Sequence, residues 1–149
     1  MSGPGRLSQQ VCFALYAASR ALTALYRPML EPLGLTYPQY LVMLVLWERE
    51  GAQAAVKELG SELMLDSGTL SPLLKRLEVA GLVTRSRDRA DERSVLVTLT
   101  EAGVRLADRA ARVPTTVARA SGMTLAELGV LRDTLVALTR TVTAATPPE

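Results

Sequence analysis

The chain has 149 residues, of which 48% are hydrophobic and only 4% aromatic, and its formal net charge is +2. This length suits one domain with an attached oligomerisation region, and a core built from Leu, Val and Ala is typical of a mostly helical protein. One cysteine and no histidine exclude an intrachain disulfide, a Cys/His zinc site and histidine-based catalysis. We therefore expect neither an enzyme nor a bound cofactor or metal.

Residues 1–10 carry one arginine and no apolar segment of the kind found in signal peptides. The longest apolar run, Tyr40 to Trp47, is far too short to span a bilayer. These features predict a cytoplasmic protein with no membrane partner.

The first two predicted elements are helices. Residues 8 to about 30 carry apolar side chains three and four positions apart, which form one stripe on a helix. A second helix begins at Thr36, whose side chain can cap it, with Gln39 completing a capping box and Gly51 ending the pattern.

Two short helices should follow, over Val56–Met64 and Leu70–Ala80, with a turn at residues 65–68 between them. Pro72 must lie near the start of the second of these helices, because a proline in the middle would break it. Gly81 is expected to end that helix.

The next segments alternate like the strands of a hairpin. They are residues 82–87 and 94–100, joined by a polar link typical of a turn. Another helix opens near Thr100 and is interrupted around Pro114, and a second capping box at Thr124 opens the last helix.

The order helix, helix, turn, helix, strand, charged loop, strand is that of a winged helix-turn-helix, which binds DNA with its second helix in the major groove. We predict a mainly α fold with a small β-hairpin wing at about residues 82–100. The DNA-binding domain should cover residues 36–100.

One side of the predicted recognition helix is polar, opposite its leucines. Short Ser and Thr side chains let a helix approach base edges and phosphates, and Lys75 and Arg76 can bind phosphates or a guanine edge. We define the recognition-helix face as Ser67, in the turn that precedes the helix, together with Thr69, Ser71, Pro72, Lys75 and Arg76.

The predicted wing is rich in arginine: Arg85, Arg87, Arg89 and Arg93 fall within nine residues. A basic hairpin loop can enter a narrow minor groove, and Asp91 is expected to orient the Arg93 guanidinium as an ion pair. A basic helix or a charged hairpin alone is usually only a solvated surface. Together, and in this order, they favour DNA binding.

At this point the sequence resembles the MarR family of regulators. The resemblance rests on Asp66–Glu78 (DSGTLSPLLKRLE), Gly81–Val83 (GLV), Asp91–Arg93 (DER) and Val97–Thr100 (VTLT). It covers nearly the whole chain.

The MarR resemblance implies a homodimer whose first and last helices interlock, in a helical dimerisation region made of residues 1–35 and 101–149. The long Leu, Val and Ala stripes of these segments fit that expectation, since they exceed what a small winged domain can bury. Two recognition helices related by a two-fold axis imply a palindromic operator in double-stranded DNA, with half-sites about one turn apart.

A narrower resemblance lies in the N-terminal half. Val11–Arg20 (VCFALYAASR), Tyr26–Pro28 (YRP) and Leu35–Leu41 (LTYPQYL) are similar to the organic hydroperoxide resistance regulators. In that subfamily, organic hydroperoxides oxidise a cysteine near the start of the first helix and the repressor leaves DNA.

This second resemblance implies a redox-sensing repressor induced by organic hydroperoxides. Cys12 is at the position of the reactive cysteine, and Tyr26 and Tyr37 match the tyrosines that hydrogen-bond its sulfur. Cys12 and Tyr26 are fourteen residues apart, or roughly 21 Å along a straight helix. If Tyr26 contacts a sulfur, that sulfur must therefore be the one of the partner subunit.

Cys12 lies about one turn into the predicted helix, where the helix dipole fades, so tyrosine hydroxyls are the expected stabilisers of its thiolate. Because Cys12 is the only cysteine, no second thiol of the chain can resolve a sulfenic acid. We expect a mixed disulfide with a low-molecular-weight thiol, or over-oxidation. Phe13 and Leu15 are candidates for an apolar pocket around the sulfur.

Four alternatives remain open. On the residues alone, Cys12 is best read as a small buried hydrophobe, the usual fate of a free cysteine. The chain would then be a MarR-family repressor released by a small aromatic ligand, with Cys12 non-reactive. A one-cysteine thiol peroxidase would need a cation beside the thiolate, and the sequence around Cys12 offers none. A purely structural helical protein leaves the basic wing unexplained.

Overall fold

The computed structural model describes residues 5–147, which form one compact unit that ends at Ala111 and another that begins at Arg112. The first unit contains the helices α1 (Val11–Leu30), α2 (Tyr37–Glu48), α3 (Val56–Leu63), α4 (Ser67–Val79) and α5 (Glu101–Ala110), and the strands β1 (Gln53–Ala55), β2 (Val83–Arg87) and β3 (Val95–Leu99). The second unit contains α6 (Val113–Ala120) and α7 (Leu125–Ala145). Within the described range, no helix combines the length and the apolarity that crossing a membrane requires.

The sheet has three antiparallel strands in the order β1-β3-β2, so the predicted hairpin gains a third strand. In the central strand, Val97 lies opposite Ala54 on one side and Arg85 on the other. Val97 and Leu99 point into the core, as their alternation predicts, while Val95 near the tip of the hairpin is exposed. The mainly α winged helix-turn-helix fold is therefore confirmed, with the wing at β2 and β3.

The core of the first unit gathers around α2 and α4. Leucines spaced three and four apart place one face of α4 against this core, and Trp47 of α2 donates from Nε1 to the carbonyl of Gly103 in α5 at 2.9 Å. A Cβ at Gly103 would lie 2.2 Å from the carbonyl oxygen of Leu82, so only glycine allows α5 to pack this closely. The fully buried larger side chains are Leu30, Val42, Met43, Leu46, Leu59, Leu70, Leu74, Leu77, Val83 and Val97.

Helix α1 begins later than the sequence indicated. Residues Leu7–Gln9 form a separate 3-10 turn, and Gln10 has the extended backbone of an N-cap, so the helix begins at Val11. Of its twenty residues only Leu30 is buried. After the helix, Gly34 takes a positive φ of 69°, a conformation that glycine adopts without strain, and the chain turns into α2. There the expected capping box of Thr36 and Gln39 is confirmed.

Helix α4 begins earlier than predicted, because Ser67 and Gly68 are helical rather than part of the turn. Asp66 is the N-cap, and its side chain accepts a hydrogen bond from the amide of Thr69 at 2.7 Å. Pro72 therefore lies inside the helix as its sixth residue, which corrects its expected position at the start. Its missing N–H leaves the carbonyl of Gly68 without its helical donor, and Gly68 has no Cβ to crowd the proline ring.

The second unit confirms two local predictions. The helix that follows Thr100 is interrupted before Pro114, which lies in the first turn of α6, and Thr124 with Glu127 forms the capping box of α7. Helix α7 buries none of its 21 residues. Its exposed large hydrophobic side chains are Leu125, Val130, Leu131, Val136, Leu138 and Val142. The assignment of residues 1–35 and 101–149 to a dimerisation region stays a prediction.

Candidate DNA-binding surface and thiol site

The recognition-helix face belongs to α4 and the residues at its start. The helix buries Leu70, Leu73, Leu74 and Leu77, so the side chains between them point outward. All members of the face are exposed: Ser67, Thr69, Ser71, Pro72, Lys75 and Arg76. The structure therefore presents hydroxyls, a proline ring and two cations on one side of a rigidly anchored helix.

The start of α4 carries a negative charge beside these polar groups. The amide of Thr69 donates to the carboxylate of Asp66, and this hydrogen bond lowers the pKa of Asp66 below its ordinary value. Asp66 is thus charged at neutral pH and fixes the first turn of the helix. The exposed side chains of Ser67 and Thr69 follow directly.

The loop of the wing is ordered by its own carboxylates. Asp88 accepts from the amide of Ala90 at 2.9 Å, and Asp91 accepts from the amide of Arg93 at 3.0 Å. The backbones of Asp88 and Ser94 also bond across the loop at 2.9 Å. The prediction of an ion pair is wrong, because no ion pair within residues 5–147 joins the Asp91 carboxylate to the Arg93 guanidinium. Asp91 shapes the loop through the backbone, because a short side chain in a turn reaches the nearest amides first.

The wing arginines differ in how they are held. Arg87 donates from Nη1 to the backbone carbonyl of Glu92 at 2.9 Å, across the base of the loop. Arg89 and Arg93 are exposed, and no carboxylate within the described residues pairs with either of them. Arg89 and Arg93 therefore keep their guanidinium groups available to a ligand.

Arg85 is engaged within the chain. Its Nη2 lies 3.1 Å from Oε1 of Glu78 in α4, and its backbone amide donates to Oε2 of the same carboxylate at 3.1 Å. The guanidinium lowers the pKa of Glu78 below its ordinary value. Sequence reasoning missed Glu78, because the two residues are seven positions apart and meet only once the chain has turned from α4 into β2.

A cleft of about 900 Å³ brings the two predicted DNA-binding groups together. The helix contributes Ser67 and Ser71 to its lining, and the wing contributes Arg85, Asp91 and Arg93. Helix α3 supplies two lining residues that sequence reasoning missed, Lys57 and Ser61. Both are exposed on the polar side of α3, opposite the buried Leu59. The polar face of α3 is the sequence signal that could have identified Lys57 and Ser61.

Cys12 is exposed and is the second residue of α1. The earlier estimate of one full turn into the helix is wrong, because residues 7–9 form their own 3-10 turn. The thiol therefore lies where the first amides of the helix lack helical acceptors, and no Gln10 side chain caps them. Exposure also removes the interpretation of Cys12 as a small residue buried within its own chain.

Tyr26 and Tyr37 lie together at the other end of α1. Their ring centroids are 4.8 Å apart, and Tyr26 is also 5.8 Å from Tyr40, which continues the cluster to Trp47 at 6.3 Å. Burial raises the pKa of all three tyrosines above 10.0, and the mutual repulsion of their phenolates adds to this for Tyr26 and Tyr40. Their hydroxyls are thus protonated at neutral pH and able to donate hydrogen bonds.

Within one chain, α1 separates Cys12 from this tyrosine pair. The helix is continuous from Val11 to Leu30, so the fourteen-residue separation of Cys12 and Tyr26 stands at roughly 21 Å. The fold of one chain therefore brings Tyr26 and Tyr37 together and leaves Cys12 apart from them.

A cavity of about 660 Å³ adjoins the tyrosine pair, between the second half of α1 and the start of α2. Tyr37 lines it, with the cations of Arg20 and Arg27 and the carboxylate of Glu31. Arg20 also donates to the hydroxyl of Tyr16 at 2.9 Å. Tyr16 itself is 57% exposed. The cavity can admit a small organic molecule beside the protonated phenol of Tyr37.

A comparison with protein families matches residues 24–110 to the family described as transcriptional regulator SarA/Rot. The match covers α2 to α5 and the wing, together with the end of α1. It contains every member of the candidate DNA-binding surface.

Individual relatives match over nearly the whole chain. An organic hydroperoxide resistance transcriptional regulator of Bacillus subtilis (strain 168) is 47% identical, with 92% of each chain covered. The HTH-type transcriptional regulator TtmR of Methylorubrum extorquens (strain PA1) is 53% identical, over 91% of this chain and 68% of TtmR. Among solved structures, reduced AbfR bound to DNA has a TM-score of 0.78 at 34% identity, with 94% of each chain covered.

Proposed function

Because the chain belongs to the MarR family of transcriptional regulators, in its organic hydroperoxide resistance branch, we propose that it is a redox-sensing repressor of transcription. It binds a palindromic operator in double-stranded DNA as a homodimer. Organic hydroperoxides oxidise Cys12, and the oxidised dimer leaves the operator. The sensor and the DNA-binding surface belong to different parts of the chain, so oxidation acts on DNA through a change of conformation.

The DNA-binding half of the proposal rests on α4 and the wing. Lys75 and Arg76 on the helix, and Arg89 and Arg93 on the wing, are exposed cations on the elements that the fold offers to DNA. The cleft of about 900 Å³ lies between the two elements and is lined by Ser71 of the helix and Arg93 of the wing. The similarity to AbfR, whose solved structure is bound to DNA, supports this role.

The homodimer rests on the apolar side chains that the single chain leaves exposed. Helix α7 exposes Leu131, Leu138 and Val142, and α1 exposes Phe13 and Leu22. Contiguous exposed apolar surface of this kind can mark an interface between proteins. A second copy of the chain offers the same surfaces, and a two-fold axis would set two recognition helices against a palindromic site.

One observation carries the sensor half: Cys12 is exposed in the uncapped first turn of α1, while Tyr26 and Tyr37 form a pair of protonated phenols elsewhere on the chain. We assign the phenols of one subunit to the sulfur of the other. They donate hydrogen bonds to the thiolate and hold it near the cavity where a hydroperoxide can enter.

The chemistry proceeds in two steps. The Cys12 thiolate attacks the distal oxygen of the hydroperoxide, the O–O bond breaks, and the sulfur becomes a sulfenic acid. The departing alkoxide takes a proton from solvent and leaves as an alcohol. A low-molecular-weight thiol then attacks the sulfenic sulfur, forming a mixed disulfide and water. In the absence of such a thiol, a second hydroperoxide over-oxidises the sulfur.

The test is a DNA-binding titration at about 0.15 M salt, before and after cumene hydroperoxide. The probe is a duplex that the reduced wild-type protein selects from a randomised pool. We expect treatment to release the wild type from this duplex, and Cys12→Ser to stay bound. Met64→Leu is the matched control, because Met64 is 77% exposed and offers an oxidisable sulfur at a second accessible position. It should behave as wild type.

Release of Cys12→Ser by the hydroperoxide would contradict the sensor role. Equal rates of Cys12 oxidation by hydrogen peroxide and cumene hydroperoxide would contradict the organic preference. The cavity beside Tyr37 favours one second candidate, a repressor released by a small aromatic ligand with Cys12 non-reactive. That candidate predicts release of wild type and Cys12→Ser alike by such a ligand, with no change in protein mass.

A further inference from the structure

We propose that Glu78 is a positioning residue for DNA binding, which fixes the wing against the recognition helix through Arg85, and that Arg85 does not itself contact DNA. This inference rests on the proposed DNA-binding function and refines which residues perform it. We call this contact the Glu78–Arg85 clamp.

The clamp joins two elements that must bind the same DNA. Glu78 lies in the last turn of α4, and Arg85 is the third residue of β2. One carboxylate oxygen accepts from the guanidinium and the other from the backbone amide, each at 3.1 Å. The contact therefore fixes the backbone of the strand as well as the long side chain.

The position of β2 in the sheet explains why its backbone needs such a contact. The strand order β1-β3-β2 leaves β2 paired on one side only, so the outward amide of Arg85 has no strand to bond. Glu78 takes the place of that missing strand. An edge strand presents backbone N–H and C=O groups that no other strand pairs, and here one of these N–H groups is bonded to α4.

The contacts with Glu78 keep the Arg85 side chain away from DNA. Arg85 has both its guanidinium and its amide on Glu78, whereas Arg89 and Arg93 pair with no carboxylate of residues 5–147. To bind a phosphate, Arg85 would have to leave a charged partner, while its neighbours on the wing would not. The clamp thus orients the wing, and Arg89 and Arg93 supply its charge to DNA.

The test compares Glu78→Gln, Glu78→Ala and Arg85→Ala in titrations of the duplex selected by the wild type, over a series of salt concentrations. Gln can still accept from the amide of Arg85 but loses the ionic contact, so we expect about fivefold weaker binding. Glu78→Ala loses both contacts, and binding should weaken about tenfold. Because each lost phosphate contact reduces the salt slope by about one, the slopes of all three variants should stay at the wild-type value.

Two further variants complete the test. Arg93→Ala should reduce the salt slope by about one, as expected of a phosphate contact. Glu101→Gln is the matched control, because Glu101 forms an ion pair with Arg105 at 2.6 Å on an exposed face of α5, and its binding should equal that of the wild type. The double variant Glu78→Ala/Arg85→Ala should bind no more weakly than Glu78→Ala, since that variant already loses both the guanidinium and the amide contact.

Wild-type affinity of Glu78→Gln and Glu78→Ala, tighter binding by either, or a lower salt slope of Arg85→Ala would each overturn the inference. Thermal melting of each variant separates loss of the clamp from loss of the fold. If the wild type selects no duplex at all, the proposed function fails first, and this inference fails with it.

Discussion

Helices α1 and α4 have similar apolar spacing in the sequence and opposite fates in the fold. Helix α4 buries four leucines in 13 residues, while α1 buries one leucine in 20. The stripe of α4 is covered by the chain's own core, and that of α1 is left for another surface. Amphipathic spacing therefore predicts that a helix face will be buried, but not by which molecule.

The first turn of α4 is also held more firmly than the first turn of α1. Asp66 caps α4 through its side chain, whereas the N-cap of α1, Gln10, makes no side-chain hydrogen bond. The recognition helix is thus fixed at its start and along its length. The helix that carries Cys12 is held mainly at its far end, by Leu30, and its first turn can respond to a change at the sulfur.

The largest effect should come from the buried stripe of α4. Leu77 is 1% exposed, and Leu77→Ala leaves a cavity in the core, which should lower the free energy of unfolding by about 3 kcal/mol. Urea unfolding followed by circular dichroism measures this loss. The loss should be the same at low and high protein concentration, because the contact lies within one chain. A concentration-dependent loss would place the face of α4 in an interface instead.

The stripe of α1 should behave differently. Leu22 is 40% exposed in the single chain, and in the proposed dimer Leu22→Ala should cost about 2 kcal/mol, with a loss that grows as the protein is diluted. Sedimentation at each concentration should show more monomer than in the wild type. Val79→Ala is the control, because Val79 is 80% exposed at the end of α4, outside the proposed dimerisation region, and should change stability by less than about 0.5 kcal/mol. A wild-type dissociation curve for Leu22→Ala would remove α1 from the dimer interface.

The parts of the fold that the sequence could predict are those that depend on neighbours. The capping boxes at Thr36 and Thr124 are confirmed because both partners lie within four residues. The end of α4 at Gly81 is confirmed as well, since its φ of 75° suits glycine. The wing followed from alternation, with Val97 and Leu99 buried.

The parts that could not be predicted depend on contacts far along the chain. Strand β1 is only three residues long, and it exists because β3 pairs with it more than forty residues later, in the register Ala54 to Val97. The predicted start of α4 was too late, because Ser67 and Gly68 are residue types typical of a turn. In the structure Asp66 caps the helix through its side chain, so the helix begins at Ser67.

The candidate site divides in the same way. Exposure of the recognition-helix face followed from the helical period of the leucines alone. The Tyr26–Tyr37 contact needed the turn at Gly34, and the Glu78–Arg85 contact needed the chain to reverse after α4. The proposed contact of Cys12 with a partner's tyrosines depends on a second chain, which no pattern in one sequence contains.

The uncapped first turn of α1 offers a smaller change that sharpens the comparison. Gln10→Ser adds an N-cap hydroxyl and should stabilise α1 by about 1 kcal/mol. Gln10→Asp should cap the helix equally well, but its carboxylate lies two residues from Cys12 and disfavours the Cys12 thiolate. Cumene hydroperoxide should therefore oxidise Cys12 more slowly in Gln10→Asp than in Gln10→Ser. Quenched-flow alkylation of the remaining thiol measures both rates. Equal rates for the two variants would show that charge at this end of α1 does not control the sulfur.

The smallest effect concerns the cap of α4 in acid. The hydrogen bond from the Thr69 amide lowers the folded pKa of Asp66 below 3.8, so its contribution to stability is present above the unfolded value and is lost as the pH falls through the folded one. Asp66→Asn keeps a capping side chain without the titration. Between about pH 5 and pH 3 the melting temperature of the wild type should fall more than that of Asp66→Asn. Asp108→Asn is the control, because Asp108 lies on an exposed face of α5 and caps no helix, and its melting temperature should change with pH as that of the wild type does. If the melting temperatures of Asp66→Asn and the wild type fall in parallel, the charge of Asp66 does not hold the start of the recognition helix.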